Sequence, residues 1–137
     1  MRIILDTRFY FSYYNPENEK IAAWSKKFIQ KISRGTLEAA SSIITIIELY
    51  ATMGKIVGID VVRTRFASLK ASNITFIPVA EEIAQLAGKI TLSTSRTPLA
   101  DAIIAATALI YAGGAVITDD EHFCLIRTVK AEWLKEI

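Results

Sequence analysis

The chain is predicted to fold as an α/β protein, with a mostly parallel sheet of four or five strands and helices on both faces. Three observations lead there. Short strand-like segments at residues 2–5, 39–43, 74–79 and 115–118 alternate with longer segments whose apolar residues recur at helical spacing. Hydrophobic residues make up 52% of the 137, a share that points to strands buried on both faces and leaves room for an oligomer interface. Proline occurs only at Pro16, Pro78 and Pro98, each between two such segments.

Taken in order, residues 2–5 form a buried first strand that ends on Asp6. Residues 9–14 read as a short helix closed by Asn15-Pro16. Ile21, Trp24, Phe28 and Ile32 give a helix over 19–33, with Gly35 as its C-terminal cap. The second strand covers 39–43. Thr45 and Glu48 have capping-box spacing, which starts a helix that reaches about Lys55. Val62, Phe66 and Leu69 mark a helix over 60–71, followed by a strand at 74–79 and a helix at 80–92. A polar loop, 93–97, precedes Pro98, which suits the first position of an apolar helix over 99–112. Gly113-Gly114 stop that helix. Residues 115–118 make a fourth strand, and a last one lies within 129–134.

Composition narrows the classes. A length of 137 suits one domain, taken as residues 1–137. The charged fraction of 22% argues against disorder. A net charge of +2 permits nucleic-acid binding without indicating it. The single cysteine, Cys124, excludes an internal disulfide and a cysteine-based zinc site, and among Phe123, Leu125 and Ile126 it reads as a core thiol. The opening Met1-Arg2-Ile3-Ile4-Leu5 reaches Asp6 before an apolar segment of signal-peptide length accumulates, and the run 102–117 is too short and glycine-broken to span a bilayer. A cytoplasmic protein is therefore expected.

The acids carry the chemistry. In parallel sheets, sites form at the carboxyl ends of strands, and two predicted strands end on acids: one on Asp6, the other on Asp119-Asp120. Each has a plain alternative. Asp6 suits a helix cap, Glu48 a capping box, and Asp119 or Asp120 an Asx turn. Adjacent side chains diverge, so one of Asp119 and Asp120 reaches a shared site and the other caps. Asp101 is the sharpest residue, because the helix around it is apolar on most of its circumference. An acid there needs a partner, a metal or the positive helix end. Four or five carboxylates gathered at one edge repel one another unless cations neutralise them. All-oxygen sites favour Mg²⁺ or Mn²⁺, ions that can activate water in phosphodiester cleavage. The lone His122 reads as a turn or surface residue, with nothing evident to orient it; Arg8, Arg96 and Lys55 read as solvated unless they meet phosphate.

Asp6-Thr7, Glu48 within Thr45-Ile46-Ile47-Glu48-Leu49, Asp101 within the run 98–108, and Thr118-Asp119-Asp120-Glu121-His122-Phe123 together resemble a PIN domain, most nearly the VapC-type toxins of prokaryotic type II toxin–antitoxin systems. The resemblance spans the chain. It implies a three-layer α/β/α sandwich and an endoribonuclease using Mg²⁺ or Mn²⁺. The acids it points to are Asp6, Glu48, Asp101 and Asp120, with Asp119 as rival or accessory metal ligand. It implies support by Thr118 and Thr7, an RNA substrate, a small antitoxin partner and a homodimer. Arg8 departs from the usual small or neutral residue; pairing with an acid, contact with RNA and contact with an antitoxin all stay open, and Arg96 is a further RNA-binding candidate.

The sequence also bears on two other readings. A catalytically silent PIN-like module that binds RNA or protein conflicts with an intact acid set, since carboxylates repel phosphate. An aspartyl-phosphate phosphotransferase needs a second Asp two residues after the first, where this chain has Arg8.

Overall fold

The computed structural model describes residues 2–136; Met1 and Ile137, the ends of the expected 1–137 domain, lie outside the described residues. Five strands, β1 (Arg2–Leu5), β2 (Glu38–Ser42), β3 (Thr75–Ile77), β4 (Ala115–Ile117) and β5 (Lys130–Glu132), form one all-parallel sheet in the order β3-β2-β1-β4-β5. Six helices complete it: α1 (Thr7–Tyr14), α2 (Glu19–Ser33), α3 (Ile44–Val57), α4 (Ile59–Ala71), α5 (Glu81–Ser93) and α6 (Leu99–Ala112). This is the expected three-layer α/β/α sandwich.

Alternation along β1 sets the layers. Ile3 and Leu5 face a core with Phe9, Phe28, Ile32, Leu49 and Leu69, contributed by α1 to α4. Ile4 faces the opposite core with Ile83, Ile90, Ala102, Ile104 and Ala105, from α5 and α6. Both faces of β1 are thus dry, which is why it reads as an unbroken apolar run.

Local chemistry ends the helices as expected at two places. Thr36 N–H bonds Lys31 C=O and Gly35 N–H bonds Ile32 C=O, both at 3.0 Å, a Schellman closure of α2 with Gly35 at φ +81°. Gly113 closes α6 in the left-handed region. Elsewhere the structure corrects the sequence. Thr45 is no cap: the cap position of α3 is Ile43, two residues earlier, the Ser42 hydroxyl accepts the Ile44 N–H at 3.3 Å, and Thr45 is buried inside the helix. Pro98 sits just outside α6 at its cap position. Cys124 is exposed rather than in the core. It lies on a 3-10 turn, Glu121–Leu125, whose three-residue period turns Phe123 and Ile126 inward and Cys124 outward. No described helix is long and apolar enough to cross a membrane.

Candidate metal centre

Because every strand is parallel, all carboxyl ends lie along one edge. The strand order reverses between β1 and β4, where the crossovers lead away in opposite directions and leave a crevice. Asp6 follows β1 directly and Thr118-Asp119-Asp120 follow β4, so the chain delivers both to that crevice. α6 packs on β1 and presents Asp101 from its first turn. α3 presents Glu48 from the other layer.

Asp6 stands at the cap position of α1, yet its side chain caps nothing there. Instead Thr118 Oγ1 donates to Asp6 Oδ2 at 2.7 Å, and the same hydroxyl oxygen accepts the Asp120 N–H at 3.0 Å. One threonine therefore sets the positions of two acids. On the far side, Thr7 Oγ1 donates to Glu48 Oε1 at 2.6 Å. Below, Tyr10 and Ser41 share a hydrogen bond at 2.6 Å and Ser41 donates to Leu5 C=O at 2.7 Å, which locks α1 onto the sheet beside Asp6.

Burial makes the centre electrostatically costly. Asp6 is 3% exposed, and burial is the main cause that raises its carboxyl to about 7; the Thr118 hydroxyl opposes this, and the charges of Asp101 and then Glu48 add to it. Asp101 is 8% exposed and is raised to about 6, first by burial and then by Asp120, with His122 opposing and Glu48 adding. Asp101 Oδ2 is buried and accepts no hydrogen bond among the described residues. His122 Nδ1 lies 3.3 Å from it without forming a hydrogen bond. A buried, orphaned carboxylate oxygen among other acids is what a hard divalent cation would satisfy, so the residues present fit such an ion.

The two adjacent aspartates part company. Asp120 Oδ1 accepts the His122 N–H at 3.0 Å, capping the 3-10 turn, and also belongs to a group in which ligand atoms of Asp101, Asp120 and His122 all lie within 4.8 Å of one another. Asp119 turns outward to Arg8, whose Nε and a terminal nitrogen donate to its two oxygens at 2.6 and 3.2 Å. Of the options open for Arg8, the structure shows pairing with an acid, and the exposed guanidinium stays accessible. Arg96 is exposed in the turn before α6 and makes no ion pair among the described residues. His122 is the residue that sequence reasoning undervalued. Its only cue was its position two residues after Asp120, since its contact with Asp101 needs the folded chain.

A cavity of about 510 Å³ adjoins the acids through Arg8 but opens between α1, α3 and α4, lined by Phe11, Tyr14, Met53 and Arg65. None of Asp6, Glu48, Asp101, Asp119 and Asp120 lines it.

Fold and site together define an α/β protein with a carboxylate centre at the switch point of a parallel sheet. The chain belongs to the PIN domain family, whose model matches residues 3–128. Its fold is similar to that of chains from three solved assemblies. One is VapBC2 from Rickettsia felis bound to a DNA fragment from its promoter, at 17% identity and TM-score 0.73, covering 97% of this chain and 98% of that one. Another is DNA-bound VapBC from Salmonella typhimurium, at 21% and 0.70, covering 98% and 99%. The third is FitAcB from Neisseria gonorrhoeae, at 24% and 0.67, covering 94% and 95%. Curated proteins offered no sequence match.

Proposed function

We propose that the chain is the toxin of a toxin–antitoxin pair and acts as a Mg²⁺- or Mn²⁺-dependent endoribonuclease in the cytoplasm. The observation that carries this reading is the orphaned Asp101 Oδ2 among acids drawn from four separate elements. A bound divalent ion supplies activation of water and stabilisation of the leaving oxygen in phosphodiester hydrolysis.

The chain's own residues do the rest. Asp6, Asp101 and Asp120 hold the ion, and Thr118 fixes the first and last of these. Glu48, steadied by Thr7, orients the attacking water. Arg8 and Arg96, both exposed, meet RNA phosphate. Asp119 keeps an accessory part, because both its oxygens face Arg8.

Partners are inferred by a different route. Similar folds occur in assemblies described as toxin–antitoxin complexes, including one from Klebsiella pneumoniae. The exposed Ile47, Ile56 and Ile59 on α3 and α4 give a protein partner apolar surface to cover, which supports an antitoxin and a homodimer.

Purified wild type and Asp101→Asn, incubated with a mixed cellular RNA pool in Mn²⁺, Mg²⁺ or EDTA, test the reading. Cleavage by wild type alone, and only with metal, is expected. Cleavage in EDTA, or undiminished cleavage by Asp101→Asn, would overturn it. Absence of both cleavage and metal binding would favour the silent binding module.

A further inference from the structure

The acids alone would make an all-oxygen centre, yet the structure places a nitrogen donor in it. We infer that His122 Nδ1 is a direct ligand of the ion, giving a mixed centre with Asp101 and Asp120 that favours divalent transition metals, Mn²⁺ among them, over Mg²⁺. The inference rests on the metal reading above.

Geometry carries it. Nδ1 stands 2.9 Å from Asp120 Oδ1 and 3.3 Å from Asp101 Oδ2. Two donors at right angles on an ion ~2.1 Å away are ~3.0 Å apart, so both separations suit neighbouring positions in one coordination sphere. Asp101 is 8% exposed and its Oδ2 accepts no hydrogen bond among the described residues, so a cation held beside it would satisfy that oxygen. The imidazole side chain is 46% exposed, which leaves an entry path for the ion and open positions for water or substrate.

Backbone structure keeps the nitrogen there. His122 is the second residue of the 3-10 turn, and its own N–H is bonded to Asp120 Oδ1 at 3.0 Å. The cap that starts the turn thus brings ring and carboxylate to the same point. Buried Phe123 anchors the next position. An imidazole contributes little to Mg²⁺, which prefers oxygen, and more to transition ions; discrimination between the two kinds of ion follows from the donor set.

The test uses the full chain stripped with EDTA. Wild type, His122→Ala and Asp101→Asn are titrated with Mn²⁺ and with Mg²⁺ by calorimetry, and the Mn²⁺ complexes are examined by pulsed EPR for coupling to ¹⁴N. Wild type should bind Mn²⁺ more tightly than Mg²⁺ and show imidazole nitrogen coupling. His122→Ala should lose that coupling and weaken Mn²⁺ at least ~10-fold, while Mg²⁺ changes less than ~3-fold. Equal Mn²⁺ affinity in His122→Ala, or no nitrogen coupling in wild type, overturns the ligand role and leaves the acid centre standing, provided Asp101→Asn loses the ion. Failure of wild type to bind either ion overturns both. Melting in EDTA verifies that the exposed His122→Ala variant is folded.

Discussion

Arg8 and Asp119 meet in a two-point fork that ties the first turn of α1 to the segment after β4. That fork decides between neighbours: it occupies both oxygens of Asp119 and leaves Asp120 to the centre. Asp119→Ala should therefore change metal affinity less than ~3-fold, while Asp120→Ala removes it, as calorimetry would show. Arg8 is half exposed, so the pair adds under ~1 kcal/mol to stability, and Arg8→Ala should leave the melting temperature nearly unchanged while raising KM for RNA.

A pH dependence follows from the two raised carboxyls. Asp6 at about 7 and Asp101 at about 6 both lie above their unfolded value of 3.8, so the folded state holds more protons than the unfolded chain between about pH 4 and 7. For an acid shifted upward, stability grows as pH falls through the folded pKa and is lost as pH rises. Metal-free protein should melt about 5–10 °C higher at pH 5 than at pH 8. Asp6→Asn should flatten that slope, and divalent metal should raise the pH 8 value. A metal-free melting curve that is flat or rises with pH would contradict the burial of these acids.

Thr118→Val keeps shape but removes the hydroxyl shared by Asp6 and the Asp120 N–H. Loss of bonds to a charged partner costs about 2–3 kcal/mol, read from urea denaturation. Metal affinity should fall with it, because neither acid keeps its place. Thr118→Ser should rescue most of both effects.

Gly114 has φ +92°, and a Cβ there would lie 2.5 Å from the Thr128 carbonyl oxygen. Gly114→Ala should destabilise by about 2 kcal/mol or more, since backbone must move. Gly88, inside α5, has open space where its Cβ would lie. Gly88→Ala should stabilise by about 0.5–1 kcal/mol. Chemical denaturation of both variants checks the contrast.

What could be read from the sequence was what depends on neighbours in the chain. The helix around Asp101 was legible because an apolar run on all sides with one acid near its start admits few settings. The strand ending on Asp6 was legible for the same reason. Thr45 and Glu48 misled because their spacing mimics a local cap, whereas Thr45 is buried within α3 and Glu48 bonds Thr7, 41 positions away. His122 was undervalued because its approach to Asp101 depends on α6 and the 3-10 turn meeting across the fold. Cys124 was misplaced because a single 3-10 turn follows neither helix nor strand periodicity. The Arg8–Asp119 pair spans 111 positions, and no local pattern marks it.

Strand order has a temporal consequence. β1 lies at the centre of the sheet and needs β4 as a neighbour; Thr118, which secures Asp6, comes 112 positions later in the chain. Pairings of such separation form late, and translation adds only about 5–20 residues per second. While β4 is still inside the ribosome, β1 has one bare edge and Asp6 lacks the hydroxyl that holds it. The centre is thus incomplete in a nascent chain, and a product cut short before β4 carries Asp6, Glu48 and Asp101 without the Thr118 hydroxyl that holds Asp6 and without Asp120.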